Sequence, residues 1–208
     1  MVELYIGEEE KLFRVDKTKL CAIPYFDIMF NLGFAEAEDN RATFPEDDPR
    51  TFDIFLVWVY TGKLVQMTKP KLNNGALEYE FQWFPAKLYA LADKFCLSQL
   101  MNQIMDVWVG EYRQLNLVPD AETIASCYRD TPLASAPRKY VSRLVCGFLV
   151  GRRLLRGMMT PQEIHELMLE WPELNLDVLQ ILAEHNTGSY YGNLLGVPLS
   201  LYHVDTGT

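Results

Sequence analysis

The chain has 208 residues, 49% of them apolar and 23% charged, with a formal net charge of -9. That length can bury one good-sized core, or a compact domain plus a helical extension, and the balance of residue types argues against disorder. The acidic total argues against a general affinity for nucleic acid or anionic membrane. Val2, Leu4 and Ile6 alternate with Glu3 and Tyr5, the period of a half-buried strand, and Leu12, Phe13 and Val15 predict a second strand beyond a turn at Gly7 and three glutamates. Residues 17–23 and 25–32 read as two short helices parted at Pro24, a residue suited to a helix start. Phe26, Met29 and Phe30 share one face of the second.

Residues 40–45 predict a third strand. Asp48 can cap the next helix, with Pro49 at its first position and Gly62 at its end. Residues 54–60 are apolar without interruption, so this helix is expected to be surrounded by protein on most sides. Residues 63–82 contain Pro70, Asn73, Asn74 and Gly75 and read as a long polar connection, of a kind usually functional or mobile. Leu88, Leu91, Ala92 and Phe95 then fall at helical spacing, and Leu100, Ile104, Val107 and Trp108 form a further stripe after Ser98.

A Pro119-Asp120 break opens a second, wholly helical part. Ile124, Ala125 and Tyr128 make a short stripe, and Val141, Leu144, Val145 and Phe148 a longer one after Pro137. Thr160-Pro161-Gln162-Glu163 has capping-box spacing, with Met159 and Ile164 placed for a hydrophobic staple. Val178, Leu179 and Leu182 predict one more helix, and the tail after Asn186 reads as irregular. No internal repeat is visible.

Charge is unevenly spread: residues 1–60 hold 13 acids and 6 bases, residues 138–156 hold 6 bases and no acid, and residues 157–208 hold 7 acids and no base. The basic stretch, Arg138, Lys139, Arg143, Arg152, Arg153 and Arg156, has two readings. As one helix face it could meet phosphates; as a solvated or acid-paired face, the weightier reading, it binds nothing. Cys21, Cys96, Cys127 and Cys146 form no C-x-x-C pair, so no zinc or redox motif is expected. Three of them stand in apolar helical surroundings, where cysteine acts as a small hydrophobe, in keeping with a reducing compartment. Residues 1–10 lack the layout of a secretory signal, and the longest uncharged apolar run, residues 144–151, falls well short of the roughly 20 residues of a membrane helix. An intracellular protein, cytoplasmic or nuclear and without membrane contact, is the expectation.

Catalytic chemistry finds little support. His165-Glu166 begins like H-E-x-x-H, but the second ligand position is Leu169, which cannot bind metal. Gly188-Ser189-Tyr190-Tyr191-Gly192 misses the G-x-S-x-G elbow by one position, and no Gly-rich phosphate loop is present. No enzyme, cofactor or metal is expected.

Three strings carry a resemblance. Ile23-Pro24-Tyr25-Phe26 with Met29-Phe30, Tyr60-Thr61-Gly62 and Leu91-Ala92-Asp93-Lys94-Phe95 stand in an order and spacing that resemble a BTB/POZ domain. Phe34-x-Glu36 fits the Phe-x-Glu that follows the first string in that family. The resemblance covers about the first half of the chain and implies an α+β fold, a small β-sheet flanked by a helical cluster. It further implies a non-catalytic protein interaction module. Asp47-Asp48-Pro49, Tyr128-Arg129-Asp130-Thr131-Pro132 and Arg138-Lys139 are similar to the fungal branch, in which an all-α extension follows the domain. The expected organisation is a BTB/POZ domain at residues 1–112, a helical extension at 113–190 and an irregular tail at 191–208.

Two places depart from the family. Its members often carry Asp before the first strand and His-Lys at the first helix, where this chain has Met1 and Asp16-Lys17. Members that recruit a cullin often carry a hydrophobic-x-Glu motif before the Leu-Ala-Asp helix, which only Ala76-x-Glu78 fits, loosely.

The resemblance implies protein partners. Val2, Leu4, Ile6, Leu20, Phe26 and Met29 are the candidate self-association surface of a homodimer. The strand residues among them have two readings, pairing within the chain's own sheet or exchange with a second chain. Phe81, Trp83 and Phe84 are candidate anchors for a partner, since aromatic residues dominate interface energies; the alternative is that they cover the chain's own core. Two further readings are a substrate adaptor of a cullin-based ubiquitin ligase and a transcriptional regulator.

Overall fold

The computed structural model describes residues 1–32, 35–74, 76–150, 159–185 and 197–206. In order, they form β1 (Val2–Ile6), β2 (Lys11–Val15), α1 (Lys17–Leu20), α2 (Pro24–Asn31), α3 (Ala35–Asp39), β3 (Arg41–Phe44), α4 (Pro49–Thr61), β4 (Thr68–Asn73), β5 (Ala76–Phe81), α5 (Pro85–Lys94), α6 (Ser98–Leu115), α7 (Ala121–Asp130), α8 (Ala136–Val150), α9 (Pro161–Glu170) and α10 (Pro172–His185). A 3-10 turn follows at Leu199–Tyr202. The fold is α+β, with small sheets beside a helical cluster. Phe34, Gly75, Arg152, Arg153, Arg156 and the Gly188–Gly192 string, all singled out in the sequence, lie outside the described residues.

β1 runs antiparallel to β2 and parallel to β3, in the order β2-β1-β3. Strand alternation turns Val2, Leu4 and Ile6 to the inner face, where all three are fully buried. The β1–β2 turn needs its glycine: Gly7 has φ +78°, and a Cβ there would sit 3.0 Å from Pro49 Cγ.

α4 begins and ends as its sequence predicts. Asp48 accepts hydrogen bonds from the Thr51 N–H and hydroxyl, both at 2.8 Å, and Gly62, at φ 69°, donates its N–H to Trp58 O. The unbroken apolar run misleads about its surroundings, however. Only Thr51, Phe52, Phe55 and Leu56 are buried, and Tyr60 is exposed, because the sheet, α2 and α5 all pack on one side of the helix. At that junction the ring of Phe95 is the hub. Tyr25, Phe26, Phe44, Phe52 and Phe55 all have ring centroids 4.8–6.2 Å from it, the range of favourable aromatic pairs. The last residue of the Leu-Ala-Asp-Lys-Phe string thereby ties α2, β3, α4 and α5 together.

The span 63–82 is not a plain polar connection: β4 and β5 pair antiparallel, Thr68 opposite Phe81 and Asn73 opposite Ala76. Asn74, at φ 49°, takes the left-handed conformation a tight turn demands. α3 is likewise an element without a sequence signal of its own.

α5 packs against α4, α6, α7 and α8, so one continuous core runs through the described chain. Arg138 of α8 is buried. Its Nη2 donates to Tyr128 O at 2.6 Å and Thr131 O at 2.7 Å, satisfying carbonyls that the end of α7 leaves open. The capping box at α9 forms: Glu163 N–H donates to Thr160 Oγ1 at 3.2 Å and Thr160 N–H to Glu163 Oε2 at 2.6 Å, with Met159 and Ile164 both buried.

Candidate functional site

α2 starts at Pro24 and buries Phe26 and Phe30, which leaves the residues a turn away facing outward. Ile28 is 49% and Leu32 66% exposed, and Tyr25, Ile28, Met29 and Glu36 line a shallow apolar cleft of about 240 Å³. Lys17 sits beneath, its Nζ donating to Phe30 O at 3.0 Å and to Asn40 Oδ1 at 2.9 Å, while Asp16 caps α1 by accepting from Lys19 N–H. The Asp16-Lys17 pair is thus spent on local structure.

The hairpin presents a second face. Cross-strand neighbours point the same way, so Lys69, Lys71, Glu78 and Glu80 occupy one side of the ribbon and Pro70, Leu72, Leu77, Tyr79 and Phe81 the other. The apolar side is open: Leu72 is 76% and Leu77 62% exposed. At its base Phe81 and Phe84, both exposed, join Pro85, Tyr112 and the first turn of α7 around a cleft of about 240 Å³. Burial pushes the Tyr112 hydroxyl up to about 12, so it stays neutral there. Glu78 of the loose hydrophobic-x-Glu match lies on the charged side, accepting from Asn73 Nδ2 at 3.1 Å.

The sequence candidates divide accordingly. Val2, Leu4, Ile6, Leu20 and Phe26 are fully buried in the chain's own core, with β1 the central strand of its sheet. Of the six only Met29 reaches a surface, beside Ile28 and Leu32, which went unnoticed because α2 is too short to reveal which apolar residues its neighbours would claim. Phe81 and Phe84 are exposed. Trp83 between them is core, its Nε1 donating to Val65 O at 3.2 Å.

Other candidates fall away or change role. Arg138 leaves the basic face for the interior; Lys139 remains exposed and Arg143 half-buried. His165 and Leu169, the H-E-x-x-H positions, are both exposed. Among the described residues no group of three or more His, Cys, Asp or Glu side chains is placed to hold a metal, and no helix is long and apolar enough to cross a membrane. Cys127 and Cys146 are buried, but Cys96 is exposed just past the end of α5, so its apolar sequence surroundings do not cover it.

A small sheet capped by helices, with two open apolar faces, defines a docking domain. The family model of the BTB/POZ domain matches residues 2–108, more than half of the chain. The chain belongs to the BTB/POZ family, whose domain is a protein–protein interaction module. Comparison with the curated proteins finds no match.

Proposed function

We propose that this chain is a non-catalytic docking module with two working faces: α2, through Ile28, Met29 and Leu32, for a second copy, and the β4–β5 hairpin with Phe84 for a different protein. The observation that carries this reading is the open apolar side of the hairpin. Leu72 and Leu77 oppose each other at its far end with most of their surface in solvent, an exposure that costs solubility unless a partner covers it. The helices after residue 112 support the domain through α5 rather than add an activity.

A cullin scaffold is the second reading for the hairpin face. In family adaptors the end of the buried helix, the following connection and the next long helix receive the cullin. Here those elements are α4, the hairpin and α6, and Glu111 of α6 is bonded to the hairpin root. Calorimetric titration with the N-terminal domain of a cullin of the type used by BTB adaptors, with chain mass followed by light scattering, separates the two. Micromolar binding lost in Leu72→Asp/Leu77→Asp makes the chain a ligase adaptor. No binding, with a dimer mass reverting to monomer in Ile28→Asp/Leu32→Asp, leaves a self-associating scaffold. A strict monomer at high concentration sinks the α2 face.

A further inference from the structure

Residues 197–204 lie antiparallel along one side of α6, held by side chains of that helix. Arg113 Nη2 donates to Val197 O at 2.8 Å at one end. At the other, Asn102 pairs with both backbone groups of Val204: Nδ2 donates to the carbonyl at 2.9 Å, and the Val204 N–H donates to Oδ1 at 2.7 Å. Between them His203 Nε2 lies 2.7 Å from Asp106 Oδ1. Asn102, Asp106 and Arg113 stand at i, i+4 and i+11, one stripe of the helix.

The floor of this track is aromatic. Tyr202 is buried, its ring edge-on to Tyr140 at 5.4 Å, and Tyr140 is edge-on to Trp108 at 4.9 Å. Leu201, the preceding residue, points away and is exposed.

An amide that pairs with both the N–H and the C=O of one residue does what a neighbouring strand would do, so it holds an extended backbone whatever its side chain. Selectivity then comes from the pocket beside it, here one that accepts a tyrosine. Backbone bonds for affinity and a side-chain pocket for specificity are the division of labour of peptide-recognition sites. We propose that this stripe of α6 is a peptide-docking groove, filled in cis by the chain's own tail, whose occupant in trans is a partner segment with a tyrosine closing a 3-10 turn and, two places on, an apolar residue in extended backbone. The tail displays that pattern itself, Tyr202-x-Val204. The groove is separate from the α2 and hairpin faces, so its failure would leave the docking reading standing.

A tethered tail competes at an effective concentration on the order of mM, so a free copy of the segment binds the unaltered chain weakly and a chain with a loosened tail better. The probe is a fluorescein-labelled peptide of residues 197–205, titrated by anisotropy into the full chain. Tyr202→Ala should bind it at least about 10-fold more tightly than the unaltered chain. Adding Asn102→Ala, or placing Tyr202→Ala in the peptide, should remove that gain. No saturable binding to the Tyr202→Ala chain, or binding that ignores the peptide's tyrosine, overturns the proposal. Should loss of the buried ring unfold the chain, amide exchange on the unaltered protein decides. A Val204 amide exchanging at least about 10-fold faster than that of Ile104 shows a groove that opens locally, whereas exchange of both only by global unfolding makes the tail a fixed part of the fold and refutes the groove.

Discussion

Glu111 of α6 grips the root of the hairpin at Thr68, its Oε2 accepting the Thr68 N–H at 3.0 Å and the Thr68 hydroxyl at 2.7 Å. The other oxygen accepts the Met67 N–H at 2.9 Å. A lone two-stranded hairpin is marginal in water, so its orientation depends on this carboxylate. Glu111→Ala leaves two backbone N–H groups without their acceptor and should cost about 1–3 kcal/mol in urea unfolding. Trypsin should then cut after Lys71 sooner than elsewhere. Unchanged cleavage there would mean that strand pairing alone holds the hairpin.

Arg138 should be the most sensitive base in the chain. Its guanidinium is buried, 4.9 Å from the centre of the Tyr128 ring, and serves two carbonyls. Arg138→Met keeps much of the volume but orphans both carbonyls, for an expected loss of about 1.5–3 kcal/mol by equilibrium denaturation. Arg138→Lys should fall between, since an ammonium restores charge but not the fork. Lys139→Met is the surface control.

The Asp48 cap makes part of the stability acid-sensitive. Burial resists its charge, but the hydroxyl and N–H of Thr51, with Lys87 and Arg50 nearby, outweigh burial and hold the carboxyl below the usual range. A depressed value means the contribution is complete above the ordinary carboxylate pKa of about 3.9 and is lost as pH falls through the lower folded value. Melting temperature should therefore fall below about pH 4. Asp48→Asn, which can still cap, should fall less steeply; Asp48→Ala should lose about 1 kcal/mol near neutral pH, a gap that narrows as pH falls below about 4. Glu3 and Glu163 are also held low, by Arg14 and by the Thr160 N–H respectively, so Asp48→Asn removes only part of the slope. Parallel curves for Asp48→Asn and the unaltered chain would contradict the assignment.

Thiol reactivity should follow exposure. Cys96 is open to solvent, Cys21 half-covered, and Cys127 and Cys146 buried. Burial pushes the Cys127 thiol up far beyond the ordinary range, and the same cause raises Cys146. A disulfide reagent at pH 8 should modify Cys96 quickly, Cys21 more slowly, and the other two only with urea. Modification of Cys127 or Cys146 without urea, identified by peptide mass, would mean that α7 or α8 opens.

What the sequence determined by itself is mostly what a few neighbouring residues decide. Asp48, Pro49 and Gly62 bound α4, Thr160 and Glu163 open α9, and the alternation of Val2, Leu4 and Ile6 makes β1, because caps and strand periods act within four residues or fewer. The hairpin was not legible: residues 69–72 and 77–81 alternate around Asn74-Gly75, but the polar residues of one side make the span read as a plain connection. Only the tertiary structure decided which apolar residues face water. Phe26 is core and Ile28 surface on one short helix, and Trp83 is core between exposed Phe81 and Phe84 because Val65 O receives its indole. The same holds for Arg138, basic in sequence and interior in space, and for Asn102, whose partner Val204 lies 102 residues away. Hydrophobicity tells a residue to leave water, but the burial goes to whichever side chains the packed neighbours cover, and that is settled by contacts between segments remote in the chain.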